Sequence, residues 1–496
     1  MAMRSCGILM PIASLPSAYG IGCFDQAAYD FVDQLQKAGQ RYWQILPMGP
    51  TGYGDSPYQS FSTFAGNPYF ISLETLIEKG YLTKEECEKE SAGTSEDWVE
   101  YSELYSSRFT LLKMAFERSN CREQAEYHEF VDKNAVWLKN YAVFMAIKDE
   151  KKGESYLEWE DDIRFRKPEA MERYQNQLQH QIDFYQFLQF EFSSQWSKLK
   201  KYANDRGVQI IGDIPIYVAL DSADTWASPE LFQFDEKGEP KAVAGCPPDG
   251  FSATGQLWGN PLYDWDAHLK QNYDWWIRRI GVCLSWYDMV RIDHFRGFDE
   301  YYSIPYGDKT AGNGHWEKGP GAEMFHRLKN WFGELPIIAE DLGFLTDGVR
   351  NLLKESGFPG MKVLQFAFDA SEDSDYLPYR YDTNCVVYTG THDNTTTYGW
   401  WETMADSEKA VALAYLNRRK DTPTEELTWD LICLALGSKG DLCMIPMQDY
   451  LTLGKEARIN TPSTLGYNWK WRMKPDVFDD DLCLRIRKAA RLYGRI

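Results

Sequence analysis

Met289-Val290-Arg291-Ile292-Asp293-His294-Phe295-Arg296-Gly297-Phe298 sets an apolar run directly against a cluster of charges. Upstream lies Trp286-Tyr287-Asp288-Met289-Val290, apolar and aromatic enough for a buried strand, and the charges arrive together at its downstream end. Side chains alternate along a strand, so Arg291 and Asp293 are expected on one face and Ile292 on the other. A guanidinium beside a carboxylate holds it ionised, lowers its pKa and fixes its direction. An aspartate kept anionic on a rigid strand end can attack carbon or ligate a metal. The same residues would also serve as a plain structural ion pair, since such pairs perturb pKa values too.

Seven further short runs share this character. They are Gly7–Met10, Tyr42–Leu46, Gln209–Gly212, Pro336–Ala339, Lys362–Ala367, Cys385–Thr389 and Leu442–Pro446. Helical spacing predicts helices over Phe24–Ala38, Phe184–Ala203, Tyr273–Leu284, Glu323–Gly333, Thr346–Leu353, Asp406–Arg418, Glu425–Leu436 and Phe478–Leu492. Eight apolar strands, most followed by a helix, predict an α/β protein of the (βα)8 TIM-barrel class. A barrel needs about 250 residues, so the surplus in 496 is assigned to helical and loop insertions after strands two and three. The expected organisation is one catalytic domain over 1–496, with insertions at about 47–183 and 214–265 forming subdomains over the C-terminal face of the barrel. No C-terminal β-sandwich segment is expected.

The net charge of −21 argues against nucleic acid, whose phosphates demand basic surface. It fits a neutral or small-molecule substrate. Aromatics make up 15% of the chain; most of those rings serve the core, but they also supply flat platforms for sugars. The ten Cys are scattered, with no CxxC pair and no cluster with His, which fits a reducing compartment and no structural zinc. The apolar run after Arg4 is short and interrupted by Pro11, so it reads as a first strand rather than a signal peptide. No run approaches a membrane span. The expected location is the cytoplasm.

In a barrel, Asp213, Asp293, Glu340 and Asp393 follow the third, fourth, fifth and seventh strands and converge on the C-terminal face, where barrel active sites sit. With Arg291, His294 and His392 they form a set that a structural role explains poorly, because like charges brought together cost stability. Two chemistries use such a set. One is a divalent-metal site; the other is glycoside cleavage by a carboxylate nucleophile and a carboxylic acid. Only the second also accounts for the aromatic loops Thr51–Tyr58 and Ala244–Ser252. The latter, rich in Gly and Pro with Phe251 near its tip, reads as a mobile lid over a site or as an ordinary surface loop.

Six motifs sharpen this: RIDHFRGF (Arg291–Phe298), AEDLG (Ala339–Gly343), GTHDN (Gly390–Asn394), TGYGDSPYQ (Thr51–Gln59), GDIPIYV (Gly212–Val218) and AGCPPDGFS (Ala244–Ser252). In order and over essentially the whole chain, they resemble those of the 4-α-glucanotransferases, also called amylomaltases or disproportionating enzymes, glycoside hydrolase family 77 of the α-amylase superfamily. The resemblance implies that Asp293 is the nucleophile, Glu340 the acid/base and Asp393 the third carboxylate. It implies that Arg291, His294 and His392 surround the sugar at the cleavage point, that Tyr58 stacks under it and that Asp213 is a supporting acid. Phe251, Gln256 and Trp258 then fall in a loop covering the acceptor side. Gly250 departs from members that carry a bulky aromatic beside the Phe, which bears on acceptor grip. The implied partners are α-1,4-glucans, maltooligosaccharides and glucose, with no metal, no cofactor, no nucleic acid and no membrane. A retaining double displacement would set the two carboxyl groups roughly 5–5.5 Å apart. An α-glucan hydrolase with the same site, or an inactive glucan-binding protein, remains open at this point.

Overall fold

The computed structural model describes residues 4–52, 54–248, 253–343, 345–369 and 374–496. In chain order the barrel strands are Ser5–Leu9, Tyr42–Gln44, Gln209–Pro215, Met289–Asp293, Ile337–Ala339, Gly360–Val363, Cys385–Tyr388 and Leu442–Pro446. They form one parallel sheet whose neighbours follow chain order, with the first strand hydrogen-bonded to both the second and the eighth. Between the fifth and sixth strands the seam is held by the Ala339 N–H, which donates to the carbonyl of Pro359 at 2.9 Å. Beside it the Met361 N–H donates to Asp341 Oδ1 at 2.6 Å.

Alternation along each strand separates two apolar layers. Leu9, Ile211, Ile338, Met361, Val363, Val386, Tyr388 and Met444 fill the barrel interior. Ile8, Ile210, Val290, Ile292, Ile337, Val387 and Ile445 face outward into the layer shared with the helices. Full burial of such a side chain stabilises the fold by about 1.5–3 kcal/mol. Among these side chains Tyr388 Oη donates to Gln44 Oε1 at 2.9 Å, so the phenol is not left unsatisfied. Gly212 is required by packing: a Cβ there would lie 2.2 Å from the Tyr287 ring.

The expected helices are present with shifted ends. Asp25 caps Gln26–Lys37 by accepting from the Ala27 N–H, and Thr346 caps Asp347–Ser356, which stops at Gly357 in the left-handed region. Three boundaries differ more. Trp286 belongs to the helix Asp274–Trp286 and the fourth strand starts at Met289, because Trp286 and Tyr287 pack against Phe192 and Trp196 of the long helix Gln179–Asp205. That 27-residue helix begins before the Phe184 start read from spacing. The sixth strand ends at Val363 and gives way to a 3-10 turn, Leu364–Phe366.

The section after the second strand is helical, from Leu73–Glu78 to the long helix. The section after the third strand contributes Ala242–Cys246 and Gln256–Pro261, which join Glu300–Pro305 and His315–Lys318 from the segment after the fourth strand. Together they make a four-stranded antiparallel sheet with a small core of Val243, Tyr302, Ile304 and Ala311. The last two strands are not expected from the sequence: Glu300–Pro305 mixes Glu300 and Ser303 with its rings and His315–Lys318 is mostly polar, so neither shows the apolar run of a barrel strand. Among the described residues no strand longer than an isolated bridge follows Leu442–Pro446, and the described chain ends in the helix Asp480–Leu492.

Candidate active site

The third and fourth strands pair with Asp213 directly opposite Arg291 and Pro215 opposite Asp293. That register brings a guanidinium between two carboxylates. Arg291 Nη1 donates to both oxygens of Asp213, at 2.8 and 2.7 Å, and Nη2 to Asp293 Oδ1 at 2.9 Å. Asp213 is fully buried, whereas the Asp293 side chain keeps 30% of its surface open. Arg291 lowers the Asp293 pKa as expected from sequence, but burial outweighs it. The net direction is upward, with Asp213 and Asp393 adding to the rise and His392 opposing it.

The chain leaves the fourth strand through His294, whose φ of 53° is left-handed. That turn aims two consecutive N–H groups at the end of the fifth strand. The His294 N–H donates to Glu340 Oε2 at 2.7 Å, and the Phe295 N–H to the Glu340 carbonyl at 3.0 Å. The Leu342 N–H takes Glu340 Oε1 at 2.7 Å. Phe295 and Phe298 anchor the turn against Phe325. Burial, with the Asp293 charge beside it, pushes the Glu340 carboxyl up to about 7 against the pull of Arg291 and the two N–H groups. A carboxyl that still carries its proton close to neutral pH, beside a second carboxyl, is a pattern typical of acid/base sites.

A second chain of contacts lines the other wall. Tyr58 Oη donates to Asp213 Oδ2 at 2.9 Å and lies 2.9 Å from His392 Nε2. Its ring stacks on the His392 ring at 5.3 Å and 17°. Burial raises the Tyr58 phenol well above its ordinary value, with Asp213 adding to the effect, so it stays neutral. His392 Nε2 lies 3.4 Å from Asp393 Oδ1.

Trp258 approaches the His294 ring edge-on at 4.7 Å, and its Nε1–H donates to Gln256 Oε1 at 3.0 Å. Both residues lie on a strand of the small sheet, not in a loop as expected. Burial holds the His294 imidazole down at about 3, hence neutral, and its Nε2 is buried without a hydrogen-bond partner among the described residues. Phe251 and Gly250 lie outside the described residues. Among the described residues no group of three or more His, Cys, Asp and Glu is arranged to hold a metal ion.

Three residues of this site are absent from the sequence reading. Asn460 Nδ2 donates to Asp393 Oδ1 at 2.6 Å, Arg458 Nη2 donates to the Asp393 carbonyl at 2.6 Å, and the Trp469 ring lies 5.8 Å from Tyr58 and 6.0 Å from His392. They come from the irregular segment after the eighth strand. Its density of Asn and Trp (Asn460, Asn468, Trp469, Trp471) was the available signal.

The sequence profile of the 4-alpha-glucanotransferases, glycoside hydrolase family 77, matches residues 10–478. The 4-alpha-glucanotransferase of Clostridium butyricum is 48% identical, over 98% of this chain and all of its own length. The amylomaltase of Streptococcus agalactiae, solved in complex with acarbose, superposes with a TM-score of 0.95 at 40% identity, covering 99% of each chain. The amylomaltase of Corynebacterium glutamicum shares the fold at a TM-score of 0.81 and 20% identity, over 98% of this chain and 75% of its own. With the acids, the arginine fork and the barrel rim in these positions, and with relatives matched end to end, the chain belongs to the 4-α-glucanotransferases of glycoside hydrolase family 77.

Proposed function

We propose that Asp293 is the nucleophile, Glu340 the acid/base and Asp393 the third carboxylate of a 4-α-glucanotransferase. It moves a segment of an α-1,4-glucan to the 4-OH of glucose or of a maltooligosaccharide. The observation that carries this reading is the coupled pair Asp293 and Glu340 on neighbouring strand ends, with Glu340 raised to about 7.

In the first step an Asp293 carboxylate oxygen attacks C1 of the donor sugar. The C1–O4 bond breaks and the departing O4 takes the proton of Glu340. The glucosyl ester on Asp293 is then attacked at C1 by the 4-OH of an acceptor, whose proton passes to Glu340 as the ester bond breaks. Two inversions give net retention. Arg291 and Asp213 hold Asp293 in its attacking orientation. His392 and Asp393 gain their value as positive charge develops on the ring, which is differential binding of the transition state. Tyr58 supports the cleavage-point sugar, and the unpartnered His294 Nε2 is available to a sugar hydroxyl. Gln256 and Trp258 border the acceptor side. Among the described residues no helix is long and apolar enough to cross a membrane and no two cysteines are joined in a disulfide. We place the enzyme in the cytoplasm on the cysteine pattern.

The test is Asp293→Asn, expected to abolish turnover with an unchanged melting temperature, together with a 2-fluoroglucosyl trap of the wild type. Peptide mapping should find the label on Asp293; a label on Glu340 would reverse the two assignments. Maltotriose should yield glucose and maltopentaose, and accumulation of glucose and maltose alone would mean hydrolysis.

A further inference from the structure

We propose that Asn460 is a positioning residue for Asp393, and that the segment Arg458–Met473 is the strap that holds it there. This rests on the reading of Asp393 as the third carboxylate. Four contacts run from this segment to the His392–Asp393 corner. Asn460 Nδ2 donates to Asp393 Oδ1 at 2.6 Å, the Asn460 N–H to the His392 carbonyl at 3.0 Å, Arg458 Nη2 to the Asp393 carbonyl at 2.6 Å, and the Trp469 ring lies 6.0 Å from that of His392. Side-chain and main-chain atoms of one acid are thus gripped together. Nothing in the seventh strand itself does this, since Asp393 lies beyond its end at Tyr388 and keeps 41% of its side chain exposed. An exposed carboxylate on a loop has rotamer freedom that a transition-state ligand must lose, and a charge-assisted bond of this length removes it.

The strap is itself closed and tethered. Asn468 Oδ1 accepts from the Thr461 N–H at 2.9 Å and its Nδ2 donates to the Thr464 carbonyl at 2.8 Å, which folds 461–468 into a loop and sets Asn460 near Trp469. Trp469 has a φ of 65°, a conformation that costs about 1–3 kcal/mol for a bulky residue and persists only where its surroundings enforce it. Its N–H donates to the Ile459 carbonyl at 2.7 Å, and its carbonyl accepts from Tyr101 Oη at 3.0 Å. Further along, the Arg472 N–H reaches the Asp97 carbonyl at 3.0 Å and Arg472 Nη1 the Ser95 carbonyl at 2.8 Å. The helical insertion is therefore joined to the catalytic corner through this strap.

Two variants and one control test it. Asn460→Ala should lower kcat on maltotriose about ten- to a hundredfold with KM changed by less than about threefold, the loss expected for a bond to a charged group. Asn460→Asp keeps the shape but sets a second carboxylate against Asp393, which His392, Arg458, Asp293 and Tyr58 also face. One of the two acids then holds a proton to higher pH, so the acid limb of kcat should move upward while the melting temperature stays. Asp393→Asn is the control. If it is inactive while both Asn460 variants keep wild-type kcat and an unmoved acid limb, the positioning role is wrong. If Asp393→Asn is itself active, the reading of Asp393 fails first. A kcat loss in Asn460→Ala that comes with a lowered melting temperature and no acid-limb shift in Asn460→Asp makes Asn460 a fold residue and overturns the proposal.

Discussion

Arg291 grips Asp213 with two hydrogen bonds, at 2.8 and 2.7 Å, and reaches Asp293 with only one. The fully buried aspartate, not the one left partly open at the strand end, is its main partner. Asp213 acts as the counter-charge that lets a guanidinium sit under the barrel rim. Asp293 is held in place without being neutralised. Replacing Arg291 by Lys keeps the charge but loses the planar fork. The expected result is a fall in kcat of at least about a hundredfold, with a lowered melting temperature because the buried Asp213 loses the forked hydrogen bonds that satisfy it. Wild-type stability in that variant would show that the fork is dispensable.

The pH profile follows from the two raised carboxyls. On the proposed roles, turnover needs Asp293 charged and Glu340 protonated. Glu340 sits at about 7, so kcat/KM should fall as pH rises through about 7, because the acid is lost. Asp293 is raised above the ordinary value of about 3.9, so the acid limb should lie above that value, because the nucleophile is protonated below it. The two limbs belong to the coupled pair. Glu340→Gln should remove the basic limb from residual activity with a glucosyl fluoride donor, whose leaving group needs no proton. A limb that persists there would assign it to another group.

Tyr58→Phe isolates the phenol that lies between Asp213 and His392, both at 2.9 Å. The ring remains to stack on His392, so packing is kept. Loss of the bridge should cost about tenfold in kcat, with KM little changed. A rise in KM at constant kcat would instead make the phenol a ground-state contact to sugar.

Trp258 lies 4.7 Å from His294 on a strand, and on the proposed reading it walls the acceptor side. In Trp258→Ala the ratio of disproportionation to reducing-sugar release should fall about tenfold, with a higher KM for glucose as acceptor. Parallel loss of both activities would mean that the ring only supports His294.

Stability is expected to hinge on the opposite end of the barrel. Arg495 is 2% exposed and donates to the carbonyls of Leu436 at 2.9 Å, Gly440 at 2.7 Å and Ser5 at 3.1 Å. It ties the end of the chain to the starts of the first and eighth strands. Arg495→Met removes these buried bonds, leaving Leu436 only the Arg4 Nη2 donor at 3.1 Å, and should destabilise by about 3–5 kcal/mol. At 25 °C kcat/KM should be within about twofold of wild type, since the active site is on the other face.

Local periodicity by itself determined the barrel. Each strand had a run of apolar residues, and alternation put Arg291 and Asp293 on one side and Ile292 on the other, because a strand's side-chain repeat is a property of its own backbone. The six motifs likewise carried the family and, with it, the expected acids. The strands Glu300–Pro305 and His315–Lys318 were not legible, because neither carries the apolar run of a barrel strand and Glu300–Pro305 is placed by pairing with the sequence-distant Ala242–Cys246. Only the tertiary structure decided that Arg291 belongs chiefly to Asp213, that Gln256 and Trp258 stand on a strand, and that Asn460 holds Asp393. Tyr58 and His392 are 334 positions apart, and Asn460 reaches Asp393 across 67. Such contacts are set by the closure of the barrel and by the path of the chain across its rim, not by any local pattern. The raised carboxyl of Glu340 has the same origin, since burial and a neighbouring charge exist only once the strands have assembled.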